Sequence, residues 1–590
     1  MAVIATKLRQ DLPNDRNSTT IRQQIGSLES PASPLSRFTF FRVPSIKAHG
    51  LRPVGSKGQP QQPTPSIQHE SVVGQLTVVV LPVTIGIDGK RNTVRPSRLT
   101  SNTQRLIGTM FRIERILTVC CLLVACCGCG EDDKPPTVEP APFEGVRLQI
   151  AVPAGYDLRT SWQLELDEWS ARTGATYELH EYERTNGSAA GNERTRPNTD
   201  AEDATLVVFP ITEIATRQLA PISKEMLSAD NLYFSDLFTG LRDGPASVAG
   251  KPTLLPISAP VLVYYYRRDV FDDAGLSPPE TWEQHLKLLG ELDARELVSV
   301  SPWNEEFRTT MFLARAVSYA KHPHQYSLFF DVETGAPLID GPGFVRALNE
   351  TREAIDLMKK RTDVLTLSPA DCRQMLLSGK AVAAISFETE TKKSEVERPA
   401  SANIGCVRLP GNPTAYNRST AEWETLRDEP INRCTLTAFD GLCAGVSADA
   451  SQLEQRAAWE LLVQIAVETR KLTHVFPPQT RSLCRESQLS MPDLWTTEDL
   501  SSDEADQVVK AIAASLRDTR LVAELPVAGR TRFRAALSSG IGRFLADEAT
   551  AEDSLKQVAD EWRIISADIG AETVLNSYRS SIGLSPRRKR

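Results

Sequence analysis

Histidine is scarce in this 590-residue chain, with seven residues, and none lies within five positions of a cysteine. No Gly-x-Ser-x-Gly, His-Glu-x-x-His or phosphate-loop pattern occurs. The nucleophile elbow, the zincin pair and the Gly-rich phosphate cradle therefore give no sign of an enzyme. Glu305 and Glu306 could supply half of a glycosidase acid/base pair, which needs carboxyls ~5–10 Å apart. Neighbouring glutamates on one loop point apart, however, and no second acid is marked out. Cysteine is scarce too: ten residues, half of them between Cys120 and Cys129. Those five sit in or beside a Leu/Val run with no partner histidine, which argues against a zinc site.

The flanks of that cluster read instead as an export signal. Met110–Arg115 is short and carries two arginines, Ile116–Ala125 is apolar, and small residues follow. The apolar run is about half the ~20 residues of a spanning helix. Leu123-Val124-Ala125-Cys126 resembles a bacterial lipobox, in which the cysteine is acylated and becomes the mature N-terminus; Cys129 is the weaker alternative. Residues 1–109 then lie on the wrong side of the signal. They hold 14 Lys/Arg against 5 Asp/Glu, whereas the whole chain has a net charge of −8. Their Gly/Pro/Gln-rich stretch is unsuited to a packed core. We read 1–109 as a disordered or spurious extension, 110–125 as signal peptide and 126–145 as an acidic, Pro-rich tether. A basic nucleic-acid arm is disfavoured because no aromatic residues interleave the charges.

From Val146 the chain alternates strands with helices. "VRLQIAVP" is β-rich, and a helix follows with Leu158, Trp162, Leu166 and Trp169 on one face. "TYELHEYE" and "ATLVVFP" are further strands, so the order indicates an α/β domain with a largely parallel sheet. Ligands sit outside the carboxyl ends of such strands, where Tyr156 and Thr212 fall. Five cysteines remain in the body, at 372, 406, 434, 443 and 484. Cys434 and Cys443 are the pair best placed to bridge a short strand–turn segment, if any pair forms.

Residues 250–292, "GKPTLLPISAPVLVYYYRRDVFDDAGLSPPETWEQHLKLLGEL", carry the most informative pattern. Thr281 and Gln284 are spaced for a capping box, and Pro278-Pro279 set the helix start. Tyr264 and Tyr266 share one strand face and Tyr265 the other. In order, these pieces resemble the extracellular solute-binding proteins of ABC importers, family 1, of the maltose-binding-protein-like, sugar-binding kind. "LIDGPGFVRALNETREAIDLMKK", "LSGKAVAAISFE", "IGCVRLPG" and "FDGLCAGVSADASQLEQRAAWELLVQIA" continue the resemblance. One departure is the polar loop from Asn412 to Arg433, which is longer than the family pattern.

The resemblance implies a two-lobed α/β fold of the type II periplasmic-binding kind, closing by hinge motion. It implies one lobe of residues 146–260 and 434–486 and another of 261–433 and 487–588. Crossings are expected near Pro260, near Thr437 and near Phe476–Pro478. The function implied is capture of a small solute, a carbohydrate, by a monomeric lipoprotein that delivers it to permease subunits. It would be lipid-anchored in the bacterial envelope, facing the periplasm or the outside. No catalysis, metal, cofactor or nucleic acid is implied. A sugar would meet aromatic faces and planar polar groups on strand-end loops. The candidates are Trp303, Asn304 and Glu305; Phe387 and Glu388; Phe439 and Asp440; Phe533 and Arg534; and Tyr156 and Thr212. Trp282, Trp459 and Trp562 fall on helices as core positions. The alternatives are a scaffold or sensor on the same fold, or a carbohydrate-active enzyme. Intact mass of membrane-extracted protein should match a lipidated chain starting at Cys126. Peptides from residues 1–109 in native cells would contradict that start.

Overall fold

A computed structural model describes residues 141–183, 203–213, 218–228, 232–387, 397–426, 430–437, 441–468, 482–496 and 500–587. All of them fall in one unit, Asp132–Arg590. Cys126, the signal, the upstream extension and the expected crossing at 476–478 lie outside the described residues.

The chain opens with β1 (Arg147–Pro153), α1 (Leu158–Thr173), β2 (Thr176–Tyr182), β3 (Leu206–Pro210) and β4 (Leu255–Pro256). It continues through β5 (Val263–Arg267), α2 (Arg268–Ala274), α3 (Trp282–Ala294), β6 (Ser299–Val300) and α4 (Arg308–Ala320). Next come α5 (Pro342–Lys359), α6 (Pro369–Leu377), β7 (Ala383–Ser386) and β8 (Ile404–Arg408). A hairpin of β9 (Thr414–Asn417) and β10 (Glu422–Thr425) precedes β11 (Leu436–Thr437), β12 (Leu442–Val446) and α7 (Gln452–Val463). The last elements are α8 (Ser502–Leu516), β13 (Val522–Ala523), α9 (Arg530–Leu545), α10 (Ala551–Ile569) and α11 (Ala571–Ser581).

Two sheets organise these elements. The first has the order β2-β1-β3-β12-β4 and the second β8-β5-β7-β6. Local chemistry sets several boundaries as expected. The Thr281 hydroxyl accepts from Gln284 N at 3.1 Å, and the Gln284 side chain returns a bond to Thr281 N at 3.3 Å. This reciprocal pair satisfies two amides that the first helical turn leaves without partners. Helix α1 buries Leu158, Trp162, Leu166 and Trp169, the predicted face. Helix α5 buries Phe344, Leu348, Ile355 and Met358, also as expected.

Strand β5 divides its tyrosines between two cores, as period-2 alternation requires. Tyr264 belongs to the cluster under α3, α4 and α5, whereas Tyr265 joins the cluster that fills the first sheet. That first cluster is therefore not confined to one sheet. It continues through Val263, Ala384 and Ile404 onto one face of the second sheet. Helix α8, expected in the second lobe, buries Val508, Val509, Ile512 and Leu516 in this shared cluster and packs on β8.

The cysteine expectation is corrected. All five body cysteines are buried thiols, and Cys434 and Cys443 are not joined. Cys434 packs in the second sheet's core and Cys443 on β12 in the first, so the intervening crossing carries them apart. Each thiol faces an oxygen instead: Asn432 Oδ1 at 3.3 Å for Cys434, and the Phe209 carbonyl at 3.5 Å for Cys443.

Candidate ligand cleft

Strand direction alone locates a candidate cleft. β1 is parallel to β2 and to β3, so Pro153, Tyr182 and Pro210 end at one edge. β12 runs antiparallel to both β3 and β4, which makes β4 parallel to β3 and brings Pro256 to the same edge. From Pro256 the chain crosses to β5. There Val263 pairs with Ser386, the last residue of β7, and with Arg408, the last of β8. β6 is parallel to β7. Three strands of the second sheet thus end where β5 begins, and both sheets turn their carboxyl ends toward the crossing. Open α/β sheets bind ligands at such ends. Val261 bridges Thr437, and β11 pairs with β13, so three crossing segments lie side by side.

Several predicted residues gather at the second sheet's edge. Trp303, Asn304 and Glu305 form the loop after β6. Asn304 Oδ1 accepts from Phe307 N at 3.0 Å and so orders the entry to α4. Glu305 is exposed and pairs with Arg308 at 3.2 Å. Phe387, just past β7, lies 6.4 Å from Phe307 between ring centroids. Arg534 donates to the Glu306 carbonyl and, at 2.8 Å, to Glu524 Oε1. The loop, the end of β7 and the first turn of α9 therefore meet at one corner.

The aromatic candidates do not present open faces there. Trp303, Phe387 and Phe533 are 3%, 5% and 0% exposed. Trp303 points into the core among Trp282, His285 and Arg315. Phe533 packs edge-on to Phe330 and Trp562, at 5.4 and 5.5 Å, while its neighbour Arg534 turns to the loop. A stacking platform needs an accessible ring face, and burial removes it. On the first sheet's edge Tyr156 and Thr212 are buried as well. Glu388, Phe439 and Asp440 lie outside the described residues.

One residue at this corner carried no signal in the sequence. Glu524 follows β13 directly and is fully buried. Its carboxylate accepts from Thr310 at 2.5 Å, Arg530 at 2.9 Å and Arg534 at 2.8 Å. Burial pushes its pKa up, but the two guanidiniums and the hydroxyl outweigh it, and the net direction is down. Glu524 thereby ties a crossing segment to α4 and α9. Arg315 carries the other buried charge nearby, its guanidinium 4.5 Å above the Trp282 ring.

Two outcomes follow from this placement. Trp303→Ala should cost about 3–5 kcal/mol of stability, the usual range for truncating a buried aromatic residue. An unchanged melting temperature with weakened solute binding would return the ring to the cleft. Glu524→Gln leaves two buried guanidiniums facing a neutral amide and should cost about 3–5 kcal/mol. Because the folded carboxyl is held low, its stabilisation is present above pH ~4.3, the unfolded value, and is lost as pH falls below it. Urea melts across pH 3–7 should show a steeper acid loss in the wild type than in the variant; equal slopes would refute the role.

Residues 198–417 match the family described as bacterial extracellular solute-binding protein. Among solved structures, the sugar-binding protein MalE from Xanthomonas citri is similar at 15% identity, with TM-score 0.51 over 72% of this chain and 98% of that one. Maltose-bound T. maritima MalE3 is similar at 17% identity, TM-score 0.49, over 71% and 100%. A solute-binding protein from Agrobacterium radiobacter K84 in complex with ribitol gives 16% identity, TM-score 0.48, over 72% and 100%. The Xanthomonas protein supports the fold, and the family match spans the stretch in which the chain passes from the first sheet into the second. Over residues 198–417 the chain is therefore similar to the bacterial extracellular solute-binding proteins, and its fold is of the type II periplasmic-binding kind.

Proposed function

We propose that the chain captures a small carbohydrate between its two lobes and delivers it to the permease of an ABC importer. Cys126 would anchor it by lipid to the bacterial envelope, facing the periplasm or the outside. The observation that carries this reading is the meeting of both sheets' carboxyl strand ends at the three-segment crossing. Closure about those segments would bring the loop Asn304–Glu306 and Arg534 toward the ends of β1 and β3. Function then rests on a difference in affinity between open and closed states, with no bond made or broken. The family is one of binding proteins, which agrees with a non-enzymatic role. Among the described residues no helix is long and apolar enough to cross a membrane, in keeping with attachment by lipid.

Burial of Trp303, Phe387 and Phe533 favours a second reading, a sensor or scaffold that keeps the fold without a sugar platform. Calorimetry over mono- and oligosaccharides and sugar alcohols, paired with small-angle scattering, separates the two. The importer reading expects a ligand that binds and reduces the radius of gyration. Binding with no compaction, or no binding across the panel, would favour the scaffold.

A further inference from the structure

Where α4 ends, the chain makes a tight turn beside the β9–β10 hairpin. His322 follows the helix directly beyond Lys321 and is 1% exposed. Its Nδ1 accepts from the backbone N–H of His324 at 3.2 Å, and the Gln325 N–H closes the same turn on the His322 carbonyl at 2.9 Å. An amide hydrogen aimed at Nδ1 selects the neutral tautomer with its proton on Nε2. That nitrogen stands 3.1 Å from Oε2 of Glu424 on β10. Glu424 is itself held in place, accepting at Oε1 from Asn417 Nδ2 at 2.7 Å and from Thr420 Oγ1 at 2.9 Å. Gln325 spans back to the hairpin, donating to Asn417 Oδ1 at 3.0 Å. One neutral imidazole thus joins turn and hairpin, with a different nitrogen toward each.

A second proton would break this arrangement at Nδ1. Imidazolium carries hydrogens on both nitrogens, so Nδ1 would become a donor facing the His324 donor. The new charge would also be buried among mixed neighbours. Glu424 on the hairpin favours it. Lys321, whose ammonium donates to the Tyr326 carbonyl at 3.0 Å, and His324, whose ring centroid lies 5.1 Å away, oppose it. Cys434, Arg418 and Arg520 act in turn on Lys321. Burial is the largest of the influences on His322, and the net direction of its pKa is down despite Glu424. A histidine held below the ordinary ~6.5 stabilises the closed turn above that pH, and the contribution is lost as pH falls through the folded value.

We propose that His322 is a proton-operated latch between the exit of α4 and the β9–β10 hairpin: the neutral ring holds the turn closed, and uptake of a proton at Nδ1 opens it. Opening frees residues 322–325 and the Gln325 contact with the hairpin, while the buried body of α4 stays in place. The latch is independent of which solute the candidate cleft takes.

Hydrogen exchange read by mass spectrometry on the full chain tests it, with rates corrected for the intrinsic pH dependence of exchange. From pH 7.5 to 5.0, peptides covering 321–327 and 414–425 should lose protection about 10- to 30-fold, the linkage of a group with an unfolded pKa of ~6.5. Peptides from α1 should not change. His322→Asn offers a side-chain carbonyl in place of Nδ1 and takes up no proton, so its protection should be equal at both pH values. If that variant does not fold, the His322 ring resonances of the wild type report the pKa directly, expected below ~6.5. Wild-type protection unchanged by pH would overturn the proposal. So would the same acid loss in His322→Asn, an equal loss in α1, or a His322 pKa above the ordinary value, which would make acid tighten the Glu424 pair.

Discussion

Helix α4 is the member on which the second half of the molecule depends. Twelve of its thirteen residues are buried, and only Arg308 reaches partly to the surface. A helix buried around its whole circumference must be surrounded, and α4 is surrounded by functionally distinct neighbours. Its N-terminus receives the cleft loop through Asn304, and Arg308 donates to Ser538 on α9 at 2.9 Å. Two residues on, Thr310 reaches the carboxylate beside the crossing. Arg315 lies over Trp282, and Tyr319 donates to Glu350 on α5. A shift of α4 would therefore move the loop, the crossing and the core together. Packed interiors resist continuous deformation, so such a shift would be stepwise rather than graded.

The two buried charges beside α4 solve the same problem in different ways. Glu524 is one carboxylate among two guanidiniums and a hydroxyl, which replaces the hydration it lost. Arg315 has an aromatic face beneath it and a distant, shared carboxylate. The first arrangement stiffens the junction between crossing and lobe. Its cost falls on Arg534, which is committed to Glu524 and the Glu306 carbonyl and is thereby less free to meet a solute directly. Arg534 holds the loop after β6.

Much of the fold was legible in the sequence because it rests on local rules. The capping pair at Thr281, the tyrosine alternation in β5 and the apolar faces of α1 and α5 each follow from spacing within one element. The shared edge at which the strands end was legible as well, since it follows from strand order. What could not be read was the direction in which a loop side chain turns. Trp303 lies between Pro302 and acidic neighbours, a setting that suggests an exposed ring, yet the space under α3 and α4 draws it inward. The partnership of Glu524 with Thr310 and Arg534 was hidden for the same reason, because 214 residues separate the glutamate from the threonine. The cysteines misled because nearness in sequence is not nearness across a crossing.

The long polar stretch from Asn412 to Arg433 shows how such non-local demands are written into composition. It forms the β9–β10 hairpin, and its polar residues are spent on the exit of α4. Asn432 donates to the carbonyls of Ser318 at 2.8 Å and Lys321 at 3.1 Å. Arg418 donates to the Ser327 carbonyl at 2.9 Å, and Asn417 accepts from Gln325 at 3.0 Å. Trp423 packs edge-on to Tyr319, with Arg346 about 5 Å from both rings. The last carbonyls of a helix have no intrahelical partner, and a helix end buried inside a lobe has little water to supply one. A distant polar segment must then do so. The polar composition of this stretch therefore carries a structural reason before any reason of specificity: a helix as deeply buried as α4 needs its C-terminus capped from elsewhere in the chain.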